Sequence, residues 1–133
     1  MRDIKFRGKD LSSKWRYGDL VQEKWGQGKA IMIKKDKRAW SALEATIGQY
    51  TGLKDKNGKE IYEDDIIYCE KYIGGNWIED CIEKGYVNFN NGEFGLYRKQ
   101  GYYQSLYKFK EYDYEFEVIG NIHDNPELLA EKE

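Results

Sequence analysis

Residues 48–67 read GQYTGLKDKNGKEIYEDDII, and this stretch decides the fold class. Two apolar-patterned segments flank a polar centre that carries Asn57-Gly58. Asn and Gly both tolerate positive φ, which a tight hairpin turn requires. On the near side Ile47, Gln49 and Thr51 alternate with residues of the opposite face. On the far side Ile61-Tyr62 lead into an acidic corner, Glu63-Asp64-Asp65, and then into Ile66-Ile67-Tyr68-Cys69, an apolar run of the buried-strand type. The expectation is a β-rich chain with structural turns at Asn57, Gly58, Asp64 and Asp65.

The same reading extends in both directions. Residues 2–7 alternate, with Ile4 and Phe6 on one face, as in a half-buried strand. Residues 15–21 form a strand interrupted by Gly18, which predicts a bulge or the close approach of another backbone. Residues 30–33 make a short apolar strand and 34–38 a basic loop. Trp40, Leu43 and Glu44 have helical spacing, so 39–45 reads as one helical turn. Residues 65–70 and 77–84 read as strands joined through Gly74-Gly75; 86–89 and 94–98 flank Asn90-Asn91-Gly92, a second hairpin. Residues 106–110 and 114–119 both alternate as strands. Asn125 suits an N-cap and Pro126 a first helical position, with a short helix through 128–130. There is no internal repeat. Short strands with turn signals about every 8–12 residues predict a mainly β fold, a compact sandwich or barrel of short antiparallel strands with one or two short helical turns.

At 133 residues the chain reads as one domain, 1–133. It is 40% hydrophobic and 16% aromatic. Tyr and Trp favour pleated surfaces and interfaces, whereas a helical bundle draws on Leu and Ala. The opening MRDIKFRGKD is charged without an apolar core, and no stretch approaches the ~20 apolar residues of a membrane span. The expectation is a cytoplasmic chain with reduced thiols at Cys69 and Cys81 and no membrane contact. Net charge is −2, unevenly spread: 12 Lys/Arg against 6 Asp/Glu in residues 1–50, and 10 against 18 in 51–133. Either the surface is dipolar and docks on a charged partner or a second copy, or the halves interleave and the charges mix. The second is the simpler expectation.

Candidate sites each have a structural alternative. His123, the one histidine, sits beside Asp124, and such a pair can orient an imidazole for base catalysis; the alternative is a turn residue bonded to backbone. Cys69, Cys81 and His123 lack the paired spacing of a zinc site and read as core cysteines and a turn. Glu60, Glu63, Asp64 and Asp65 carry enough carboxylates for hydrolysis or a divalent cation, but Ile61 and Tyr62 interrupt a Ca²⁺ series, and Asx-type turns account for them. The run Tyr97-Arg98-Lys99-Gln100-Gly101-Tyr102-Tyr103 and Tyr107-Lys108-Phe109-Lys110 interleave rings with cations, as a stacking platform for single-stranded nucleic acid does. Lys34, Lys35, Lys37 and Arg38 add candidate phosphate contacts. Glu111, Asp113, Glu115 and Glu117 follow and repel a phosphate backbone. Trp15, Trp25, Trp40 and Trp77 mark an interface wherever they reach the surface. No catalytic constellation emerges, so the expectation is a non-enzymatic chain without metal or cofactor.

Three motifs, MRDIKFRGKD, IGQYTGLKDKNGKEIYEDDII and EFEVIGNIHDNPELL, fall in order along the chain and resemble the YopX family of bacteriophages and prophages of Gram-positive bacteria. Where that family usually has Gly before the aspartate of its middle motif, this chain has Asp64. Asp tolerates the left-handed region better than most residues. The resemblance implies a mainly β fold and a phage or prophage origin, and carries over no catalytic residue. The expected function is protein interaction or self-assembly, with a protein or a second copy as partner. The alternative is a nucleic-acid-binding accessory of phage replication or regulation.

Overall fold

Alternating bulky and polar residues build eleven strands and one helix among the described residues of a computed structural model, which are 4–26, 28–73, 76–98 and 101–129. The strands form two antiparallel sheets, ordered β4-β3-β2-β1-β5-β6 and β10-β9-β8-β7-β11. Neither closes into a barrel among the described residues; both are open sheets of the sandwich kind. By packing, the chain divides into two compact units, Met1–Gly52 and Leu53–Glu133. The charge imbalance follows that division. The first unit holds 12 Lys/Arg against 6 Asp/Glu and the second 10 against 18.

In the first unit β1 (Phe6–Lys9) pairs with both β2 (Trp15–Trp25) and β5 (Gly48–Lys54). Strand β3 (Gly28–Lys35) joins β2 to β4 (Arg38–Ser41). Ile33 is fully buried. Gly18 is the close approach its position predicts: a Cβ there would stand 2.2 Å from the Lys34 carbonyl oxygen. Residues 34–38 form a hairpin rather than a loop, with Asp36 left-handed at its tip (φ 56°). The helical turn expected at 39–45 is corrected. Trp40 lies on strand β4 opposite Ile33, and a 3-10 turn comes later, at Glu44–Thr46. Seven residues are too few to nucleate a helix against the hydrogen bonds that the edge of β3 offers.

In the second unit β6 (Glu60–Tyr62) leads to β7 (Asp65–Ile73), β8 (Asn76–Asn90), β9 (Glu93–Arg98), β10 (Gly101–Ser105), α1 (Leu106–Glu111) and β11 (Tyr114–Asn121). The Gly74-Gly75 turn lies outside the described residues. The Asn91-Gly92 turn has both residues left-handed (φ 54° and 83°), the twist a two-residue hairpin needs. At Asn57-Gly58 only Gly58 is left-handed (φ 82°). The strand expected at 106–110 is helix α1. Its apparent alternation hides an i, i+3 pair, Leu106 and Phe109, and both are buried in a core with Ile67, Cys69, Val87, Phe94, Leu96 and Phe116. Phe109 is the hub, 5.0 Å from the ring of Tyr114 and 6.5 Å from that of Phe116. Pro126–Leu129 closes the described chain as a 3-10 turn, with Leu128 N donating to Asn125 O.

One turn device occurs in each unit. Asp10 Oδ1 accepts from Ser12 N (2.8 Å) and Lys14 N (3.0 Å), and Asp10 N donates to Lys14 O. Asp55 Oδ1 accepts from Asn57 N (2.9 Å) and Lys59 N (2.8 Å), and Asp55 N donates to Lys59 O. The fourth residue is left-handed in both, Ser13 and Gly58. Each carboxylate keeps a second oxygen for a third partner. Asp10 Oδ2 takes Arg16 Nε at 2.9 Å; Asp55 Oδ2 takes Val118 N of β11 at 3.0 Å, beside Lys56 N donating to Phe116 O. The 55–59 turn thereby covers the outer edge of β11.

The Lys14 amide, foremost, with Arg16 and Ser12, holds the Asp10 carboxyl below its usual range against the opposing effect of burial. A depressed pKa contributes stability that is complete above the ordinary value of about 3.9 and is lost as pH falls below it. Asp10→Asn is therefore expected to flatten the acid limb of stability against pH, measured by urea unfolding. Asp55→Ala leaves three backbone donors without their buried acceptor and is expected to cost about 3 kcal/mol. An unchanged urea midpoint would show that the turn does not clamp β11.

Candidate functional site

The acidic corner is a structural junction. Asp65, 1% exposed, accepts Tyr62 N at Oδ2 (2.8 Å) and so closes the turn from β6 to β7. Asp64 is left-handed (φ 72°), as its short side chain permits. Its N–H donates to Val87 O on β8, and its carbonyl accepts from Ile122 N. Asp64 Oδ2 lies 3.0 Å from His123 Nε2, with both side chains largely buried. The His123 ring thus meets Asp64, 59 residues away. Asp124 instead serves the following loop, where Asn121 Oδ1 accepts from His123 N and Asp124 N, and Asn121 Nδ2 donates to Asp124 Oδ2. His123 is held as a latch between the corner and the end of β11. Among the described residues no three His, Cys, Asp or Glu side chains gather as a metal-binding set. Cys69 is a free thiol whose pKa burial pushes up; the Cys81 side chain lies outside the described residues.

The 97–103 segment is not one platform. A register shift between Tyr102 and Gln104 and the strand alternation split it across two faces. On one, Tyr97 meets Tyr102 edge to face at 5.4 Å, and Tyr86 continues the row at 5.8 Å. The Tyr102 ring lies over Gly95, where a Cβ would stand 2.6 Å from it. Burial, then the hydrogen bond from Tyr102 Oη to Glu93 Oε1 (3.0 Å), raises the Tyr102 pKa. On the other, Arg98 packs over Tyr103 at 4.3 Å and pairs with Glu83, while Tyr103 stacks on Phe109 at 5.8 Å. Lys99 lies outside the described residues. Arg98 is thus neutralised on the spot. Tyr102, Tyr103, Tyr107 and Tyr112 remain 54%, 46%, 37% and 51% exposed along β10 and α1.

The first unit gathers the other candidates. Lys34, Lys35, Lys37 and Arg38 are all exposed on the β3–β4 hairpin. Lys35, Asp36, Lys37, Arg38 and Trp40 line an open concavity of about 500 Å³. The guanidinium of Arg16 lies 4.4 Å from the centre of the Trp40 ring and is itself held by Asp10. Trp15 carries Arg7 and Lys9 over its ring at 4.6 and 5.5 Å. The side chains of Trp25 and Trp77 lie outside the described residues.

A family model described as YopX protein matches residues 5–130. The chain belongs to the YopX family. Among solved structures this YopX family member is similar to the crystal structure of protein EF1440 from Enterococcus faecalis. The two are 25% identical with a TM-score of 0.51, and the match covers 98% of this chain and 100% of that one. No curated protein matches it. Two structural residues escaped the reading of the sequence, Asp10 and Asp55. Their signal was present as the repeated spacing Asp-x-x-x-Lys at 10–14 and 55–59.

At Asp64, a β-branched residue is expected to cost more than glycine. Asp64→Val forces a left-handed φ on a stiff side chain and abolishes the His123 bond, for about 2–3 kcal/mol. Asp64→Gly loses the bond but relieves the backbone, and should fall within about 1 kcal/mol of the parent. Equal losses in the two, measured by chemical denaturation, would mean that φ at this corner is not the constraint.

Proposed function

We propose that this YopX family member is a non-enzymatic interaction module of a phage or prophage, acting in the bacterial cytoplasm, and that β10 with α1 forms its protein-binding surface. The observation that carries this reading is the exposure of four tyrosines between 102 and 112, on both faces of an edge strand, on α1 and at the end of α1. Tyrosine offers large, stiff, amphipathic contact area and is enriched in interface cores. The two edges of the same sheet are treated differently. That of β11 is covered by the Asp55 turn, while β10 (GYYQS) carries neither the proline nor the lysine that blunts an edge. The partner is a protein or a second copy of the chain. One observation supports a non-catalytic role: the Cys69 thiol is fully buried. No helix among the described residues is long and apolar enough to cross a membrane.

A second reading, nucleic-acid binding, is favoured by the exposed cations of the β3–β4 hairpin in a unit of net charge +6, from 12 Lys/Arg and 6 Asp/Glu.

Tyr107 and Tyr112 are exposed on and just after α1, so Tyr107→Ser/Tyr112→Ser is expected to keep the fold while weakening association at least ~10-fold. Light scattering over a concentration series reads self-association, and capture from prophage-carrying cells by parent and variant reads a different partner. A strictly monomeric parent that captures the same proteins as its variant would dispose of the surface.

A further inference from the structure

Five cations of this chain are answered by carboxylates among the described residues. Arg16, Lys29, Lys56, Arg98 and Lys110 each sit against a carboxylate, Asp10, Glu44, Glu70 with Glu117, Glu83 and Glu115 respectively. Lys34, Lys35, Lys37 and Arg38 make no ion pair among the described residues, although Asp36 sits at their centre. Four like charges on one short hairpin, with Asp36 the one carboxylate among them, repel each other, and a bound anion relieves that repulsion. The hairpin also supplies a ring. Trp40 lines the open concavity together with Lys35, Asp36, Lys37 and Arg38, so three cations and one carboxylate surround the ring. Arg16 packs on the indole but is not part of the lining, and Asp10 fixes Arg16 in turn. The indole is therefore oriented by a chain of contacts running back to the first Asp-x-x-x-Lys turn.

We propose that this concavity binds single-stranded nucleic acid, a base stacking on Trp40 while Lys35, Lys37 and Arg38 hold the flanking phosphates. The inference rests on the second reading above and narrows it. A duplex hides the faces of its bases and would use the cations alone. An acidic peptide would also use the cations and leave the indole idle. Only an unpaired, phosphate-linked base engages both chemistries at once. The site is separate from the tyrosine surface of the other unit and carries its own specificity.

The test uses the full chain at low salt with three fluorescent probes: a short oligothymidylate, a duplex of equal length, and polyglutamate. Oligothymidylate is expected to bind most tightly and to quench tryptophan fluorescence. Lys35→Gln/Lys37→Gln/Arg38→Gln, all at exposed positions, should lower affinity at least ~10-fold and reduce the slope of log affinity against log salt by about 2, at ~0.7 per phosphate contact. Trp40→Leu keeps an apolar side chain and removes the stacking ring; it should lose ~5-fold or more for the single strand with the salt slope unchanged. Thermal unfolding of each variant checks that the fold persists. Equal binding of single strand and duplex, both indifferent to Trp40→Leu, overturns the stacking site and leaves general nucleic-acid binding standing. Binding of polyglutamate alone, or of no probe, overturns both.

Discussion

A carboxylate that accepts two amide protons within its own hairpin turn, and still has an oxygen to offer, organises both units of this protein. At Asp55 the first oxygen satisfies Asn57 and Lys59, and the second reaches Val118 in the last strand. The turn is local, but the contact spans 63 residues. Because Asp55 is nearly buried, its charge is tolerable only with those donors in place. The same carboxylate therefore sets the hairpin, seats it on β11 and closes a sheet edge that would otherwise pair with another chain. At Asp10 the equivalent oxygen holds Arg16, and Arg16 holds Trp40. One device yields an edge cover in one unit and an oriented ring in the other.

The corner at Asp64 adds a second kind of constraint. Its left-handed backbone makes bonds to β8 and to the end of β11, and its side chain meets His123. Three segments distant in sequence converge on one residue. Aromatic packing around Phe109 then fills the interior of the same unit and recruits a helix of only six residues. Such a helix has no stability of its own; burial of Leu106 and Phe109 holds it. With the histidine and the Cys69 thiol committed inward, two outward features stand out among the described residues. They are a tyrosine-rich edge in the acidic unit and a cationic hairpin beside an indole in the basic one.

Much of the fold was legible because turns are local. Asn91-Gly92, the 48–67 hairpin, the break at Gly18 and the Asn125-Pro126 start were all visible as residue types with particular backbone needs. The misreadings share a cause. Residues 106–110 alternate and were expected in a strand, since a segment that short satisfies both a period of two and an i, i+3 pair. Trp40 had helical spacing to Leu43 and Glu44, but the free edge of β3 decided in favour of β4. The aromatic and basic residues of 97–103 are contiguous in the chain, but strand alternation sends Tyr97 and Tyr102 to one face and Arg98 and Tyr103 to the other. His123 reads either as a pair with its neighbour Asp124 or as a turn residue bonded to backbone, and its contact with Asp64 comes from a segment 59 residues away.

By itself the sequence determined an antiparallel β fold, the places where the chain reverses, membership in one family through three ordered motifs, and a basic first half followed by an acidic second. Those follow from alternation, from the φ tolerance of Gly, Asn and Asp, and from counting charges. The tertiary structure alone decided which charges are answered and which are left over, which ring faces which cation, and that the two halves pack as separate units. Pairing of side chains depends on strand register and on contacts between residues dozens of positions apart, and no local pattern of residues encodes either.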